Sequence, residues 1–166
     1  MAGASNTEIK KLLNILKEMQ SGILVTHTGT QLKGRPIQIA DISEDGTVWI
    51  YASEYSDCMK EINENNEVFL SFAEPGTDVY AVISAKAFIE DNIEKIKSLK
   101  NPSLRMMRPG GTAKNILVLR AEPVEAEFWD GRSGRIVILF RMISKFLKGS
   151  EVNYEPSHKV TKWKYS

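Results

Sequence analysis

The chain has 166 residues, 42% of them hydrophobic and 26% charged, with a formal net charge of +1. That length suits one domain whose core needs no disulfide or metal to hold it, and the composition excludes collagen-like, mucin-like and wholly disordered chains. The single cysteine, Cys58, can make neither an internal disulfide nor a cysteine-based zinc site. No apolar run approaches the roughly 18 residues that span a bilayer, and no apolar stretch follows a basic start, so a cytoplasmic place is the default expectation.

The small net charge hides an asymmetry. Residues 1–131 carry 14 Lys/Arg against 19 Asp/Glu, and residues 132–166 carry 8 against 2. A basic segment on an acidic body can bind nucleic acid or an anionic membrane, fold back, or stay solvated. Its charges are scattered rather than blocked, which favours the last two readings over a nucleic-acid or membrane partner.

Residues 7–20 read as an amphipathic helix, because Ile9, Leu12, Leu13, Leu16 and Met19 fall on one stripe. Ser5, Asn6 and Thr7 are all acceptable caps, and Gly22 is expected to stop the helix. The period then changes to short β-branched and aromatic segments at 23–28, 36–42 and 47–53, with Gly-containing turns at 29–34 and 43–46. Such short links predict an antiparallel meander. Residues 57–65 read as a helix with Met59 and Ile62 inward. Strands follow at 68–73 and 79–90, then a short helix at 93–99 and a loop at 102–114 centred on Pro109-Gly110-Gly111. Residues 116–129 form a long strand in which Pro123 marks an edge or a bulge, and residues 131–134 a turn. The stretch 135–148 is ambiguous. Ile136 to Phe140 could be a strand, but Ile136, Phe140, Ile143 and Leu147 fit one helical face with Gly149 as its stop, and a helix is expected. Together these elements predict a mainly β fold, a barrel with flanking helices. It forms one domain over 1–149, with a polar, basic tail at 150–166.

Five stretches, in this order, carry a resemblance. A helix is followed by Gly22-Ile23-Leu24-Val25-Thr26. Gly34-Arg35-Pro36-Ile37-Gln38 comes next. Val48 to Ser53 then leads into Ser56-Asp57-Cys58-Met59-Lys60-Glu61-Ile62. Val68 to Gly76 has Ser84-Ala85-Lys86-Ala87 behind it, and Glu127-Phe128-Trp129-Asp130 closes the set. This order resembles the FMN-binding split barrels related to pyridoxamine 5'-phosphate oxidase, and most of all their general stress protein branch. The resemblance implies a six-stranded antiparallel split barrel and a homodimer with FMN at the subunit interface. It also implies flavin-dependent oxidoreductase chemistry on an unknown substrate. Carried onto this chain, the flavin-side residues are Arg35, Pro36, Ile37 and Gln38, then Tyr51, Ala52 and Ser53. Ser56, Asp57 and Cys58 take the phosphate-loop positions, and Trp129 is a contact from the other subunit. Pyridoxamine-phosphate oxidase activity itself is not expected, because residues 152–166 lack the family's C-terminal R-x-H pattern.

These assignments agree in part with the chemistry. A phosphate dianion calls for cations and hydroxyls, which Arg35 and Ser56 can supply, and a helix N-terminus favours an anion. Asp57 and Cys58, however, stand where the family usually carries basic residues. An anion beside a phosphate is unfavourable by roughly 1–3 kcal/mol, so weak or absent FMN binding is the expectation from those two positions. The alternative is a non-catalytic barrel dimer that has lost FMN or binds another small molecule.

Each feature also has an ordinary structural role. Arg35 can be a surface arginine, Ser56 a helix cap, Asp57 a first-turn acid that favours the helix dipole. Cys58 is expected to be a partly buried spectator thiol rather than a reactive one, and Trp129 suits core or interface. His27 and His158 lack the spacing of a metal site, and no G-x-S-x-G or phosphate-loop order is present.

Overall fold

Among the described residues, three helices and seven strands follow one another. They are α1 (Asn6–Glu18), β1 (Ser21–Thr28), β2 (Gln31–Ile42), β3 (Val48–Ser53), α2 (Asp57–Glu64), β4 (Glu67–Glu74), β5 (Val79–Glu90), α3 (Ile93–Ser98), β6 (Ile116–Asp130) and β7 (Arg135–Phe140). The computed structural model describes residues 6–54, 56–74, 76–99, 116–130 and 135–140. The loop expected at 102–114, the turn at 131–134 and the tail at 150–166 lie outside the described residues.

All strand pairings are antiparallel. Strands run in the order β3-β2-β1-β4-β5-β6, and β3 pairs again with β6, which closes a six-stranded barrel. β6 is long enough to serve two partners on one edge. Its first half, 116–121, pairs with β3 at 48–53, and its second half, from Ala126, pairs with β7. Pro123 sits between those two ladders, beside the register shift opposite Ser84 and Ala85. A residue without an N–H is tolerated there because the edge is changing partner.

Period-two alternation fixes the barrel interior. Leu24 and Thr26 of β1 point inward with Ile37 of β2, Val48 and Ile50 of β3, Val68, Leu70 and Phe72 of β4, and Leu119 and Ala121 of β6. α1 adds Leu13, Ile15 and Leu16 to this core with Met19 just beyond its end, and α2 adds Cys58, Met59 and Ile62. Each large apolar side chain so buried contributes roughly 1.5–3 kcal/mol. A second cluster lies on the outer face, where Ala40, Trp49, Tyr51 and Val118 are covered by Leu99 and Ile96 at α3. Lys95 Nζ stands 4.3 Å from the centre of the Trp49 ring, and the indole N–H donates to Ser43 Oγ at 2.7 Å.

Three sequence expectations are corrected. Gly22 does not stop α1, which ends at Glu18. Gly22 lies inside β1, where a Cβ would come within 2.5 Å of the Phe72 ring and 2.8 Å of the Ser71 carbonyl oxygen. The glycine is there for close approach of β1 to the Phe72 side chain. The turn expected over 29–34 is only Gly29-Thr30, with Thr28 opposite Gln31 and Gly29 at φ +55°. That two-residue form matches strand twist. The helix expected over 135–148 is a strand at 135–140, because Ala126, Glu127 and Phe128 of β6 offer an unpaired edge that takes Phe140, Leu139 and Ile138. Residues 141–148 lie outside the described residues.

Candidate functional site

β2 keeps β1 as a neighbour from Gln31 to Gln38, but its pairing with β3 covers only Gln38 to Ile42. Below the pair Gln38–Tyr51 the two strands part. β3 continues through Ala52 and Ser53 on β6 alone, then leads to Ser56 and α2. A notch therefore opens between Arg35–Ile37 of β2 and the end of β3 that leads into α2. The Ile39 N–H donates to Gln20 at 2.9 Å. Odd-numbered residues of β2 thus turn their backbone toward β1, and even-numbered ones toward the notch. Pro36 offers only a carbonyl there.

The Arg35 side chain follows the other alternation. It shares the inward row of Ile37, and so does Lys33. On β1, Thr26 is opposite Lys33 and diagonal to Arg35. From α2, Glu61 enters the same space with its side chain only 5% exposed. Cys58, Glu61 and Ile62 share the buried face of that helix at helical spacing. Arg35 Nη2 bonds and ion-pairs with Glu61 Oε2 and also donates to Thr26 Oγ1 at 3.0 Å. Thr26 in turn donates to Glu61 Oε2 at 2.6 Å. Lys33 Nζ lies 3.1 Å from Glu61 Oε1 and forms an ion pair with it.

The charges respond to this packing. Burial acts to raise the Glu61 pKa. The bonds from Thr26, Arg35 and Lys33 and the charge of Arg35 outweigh it and hold the carboxyl below the usual range. Burial pushes the Cys58 thiol up, against the charge and hydrogen bond of Arg35, with the Glu61 charge adding to the rise. Cys58 is 2% exposed, a core thiol more deeply buried than the partly buried one expected. Tyr51 is raised by burial and then by Asp41.

The expected site residues separate into groups. Arg35, Cys58 and the α2 start come together. Pro36 and Gln38 face outward at the notch, Ile37 is core, and Ala52 packs against the core. Ser56 caps α2, its Oγ accepting from Cys58 N–H at 3.3 Å, and Asp57 is an exposed first-turn acid. Tyr51 is committed to the outer cluster. Trp129 lies elsewhere on the barrel wall, opposite Tyr80 of β5. Sequence reasoning missed Glu61, Thr26 and Lys33. The signal was available: Glu61 falls on the buried stripe of α2, and a buried carboxylate requires partners. Among the described residues no three His, Cys, Asp or Glu side chains gather as a metal site, and no helix is long and apolar enough to cross a membrane.

A closed six-stranded antiparallel barrel, with a long strand leaving it to pair with a seventh, is a split barrel. The pyridoxamine 5'-phosphate oxidase like profile matches residues 7–153. The chain belongs to that family. No curated protein matches it significantly. A Clostridium acetobutylicum protein related to general stress protein 26 has a similar structure, with TM-score 0.67 and 9% identity over 83% of this chain and 96% of that one. The general stress FMN/FAD binding protein of Xanthomonas citri gives TM-score 0.63 and 19% identity over 95% and 99%. A pyridoxamine 5'-phosphate oxidase relative from Listeria innocua gives 0.57 and 21% over 72% and 96%. At these identities the likeness is one of fold.

Proposed function

We propose that this chain is a flavin-binding split-barrel homodimer that acts as an oxidoreductase on a small molecule. The observation that carries the reading is the notch where β2 and β3 part, at the end of β3 that leads through Ser56 into α2. An outward-turned Pro36 carbonyl there suits an imide N–H of a planar heterocycle, and the helix start suits the ligand's polar end. The ring half of FMN fits this arrangement. The phosphate half does not: Arg35 and Lys33 both face Glu61, Asp57 is an anion at the helix start, and the Ser56 hydroxyl caps the helix. The Xanthomonas citri protein is described as FMN/FAD binding, which supports a flavin over an unrelated heterocycle.

The second copy is proposed on the outer face around Ile23, Phe69 and Tyr80, which are 42%, 40% and 49% exposed. Pro36 is next to Ile23 across β2–β1, Val25 next to Phe69, and Tyr80 next to Trp129. The stripe is apolar enough to seek a partner and runs from the notch to Trp129, which matches an interfacial ligand. Visible absorption after addition and removal of excess FMN tests the cofactor. A retained flavin band supports the reading, and a protein left colourless moves the assignment to the non-catalytic barrel. Sedimentation of Phe69→Glu tests the dimer, and an unchanged mass relative to the native chain removes this face.

A further inference from the structure

We propose that Glu61 is an internal competitor for the ligand's anion, so that the notch favours a flavin without a phosphate over its phosphate ester. This rests on the flavin reading above and adds the charge of the ligand to it. Four of the charged groups on β2 and α2 among the described residues enter the balance. Arg35 and Lys33 bring two positive charges; Glu61 and Asp57 bring two negative ones. Glu61 has the advantage of position: it is 5% exposed, fixed on α2, and already bonded to Arg35 and Thr26. A phosphate arriving from solvent has to displace that carboxylate from the guanidinium or bind beside Arg35 and Lys33 while both face Glu61. Either way it meets a site whose positive charge is already balanced. An uncharged ribityl chain meets no such opposition, because hydroxyls can use the α2 start and the rim without a counter-charge.

The competitor is removable. Glu61→Gln keeps the shape and one carbonyl oxygen for Thr26, and it leaves Arg35 and Lys33 with one more positive charge than the native set. The full-length native chain and Glu61→Gln are titrated with riboflavin and FMN by flavin fluorescence at constant ionic strength. Both are also melted in inorganic phosphate against chloride. The native chain is expected to bind FMN no tighter than riboflavin and to melt alike in both salts. Glu61→Gln is expected to gain about tenfold or more for FMN, the weight of one charge-assisted bond regained, with riboflavin unchanged, and to be stabilised by phosphate.

A native preference for FMN of about tenfold, or an FMN-to-riboflavin ratio that Glu61→Gln leaves unmoved, overturns the proposal. If neither flavin binds either protein, the flavin reading fails by itself and the phosphate arm judges Glu61. Stabilisation of Glu61→Gln alone upholds the competitor role, and an equal response of both proteins overturns it. If Glu61→Gln does not fold, the native FMN-to-riboflavin ratio decides.

Discussion

Replacing Arg35 by methionine isolates the energetics of the buried ion pair. The stem is retained in kind, so packing changes little, but Glu61 loses its guanidinium while its side chain stays 5% exposed. Breaking a buried pair on one side costs about 3–5 kcal/mol. Lys33 Nζ remains at 3.1 Å and Thr26 at 2.6 Å, which places the loss near the lower end, about 3 kcal/mol. For a chain of this size that is a fall in Tm of about 6–12 °C. Urea unfolding of the native chain, Arg35→Met, Glu61→Gln and the double variant forms a cycle. The double variant should be less destabilised than the sum of the singles, with a coupling of about 2 kcal/mol. A loss under about 1 kcal/mol for Arg35→Met, or additivity across the cycle, would falsify the picture of a committed, buried pair.

Acid stability follows from the same carboxylate. Its folded pKa is lowered, so its contribution is fully present above the ordinary glutamate value of about 4.5 and is lost as the pH falls through the lower folded value. Tm measured from neutral into acid solution should fall more steeply for the native chain than for Glu61→Gln, and parallel curves refute the assignment. Gly22→Ala should cost about 1–3 kcal/mol by overpacking. Phe72→Leu in the same chain should restore only part, since the Ser71 carbonyl remains at 2.8 Å; full restoration by denaturant midpoint contradicts that backbone clash. Cys58 should react with a thiol reagent far more slowly in the folded chain than in urea, and equal rates are incompatible with a thiol 2% exposed.

Most of the barrel was legible because strands of this kind announce themselves by alternation and by glycine at turns. β3, β5 and α2 fall within a residue or so of their expected limits. The misreadings arose where local pattern admitted two solutions. Ile136 to Phe140 suits a strand or one side of a helix, and only the free edge of β6 beyond Pro123 decides it. Gly22 has the look of a helix stop, yet its reason lies in Phe72, fifty residues on, which no local rule can see. Arg35 was recognised as chemically important from its motif, but its direction was not drawn from the inward row it shares with Ile37. Glu61 carries no role in the sequence reading, which turns only Met59 and Ile62 of that helix inward, although its place beside Cys58 and Ile62 puts it on the buried face.

The closure of β3 onto β6 has a kinetic meaning. The β1–β2 hairpin meets across two residues and can zip on the microsecond scale. Segments 48–53 and 116–121 can meet only after the intervening chain has been arranged into α2, β4 and β5, so the entropy of a long loop is surrendered before any bond at this seam rewards it. The seam is therefore expected to close late in folding. Substitutions that loosen it, at Ile50 or Leu119 in its fully buried row, shorten the lifetime of the folded barrel more than they slow its assembly.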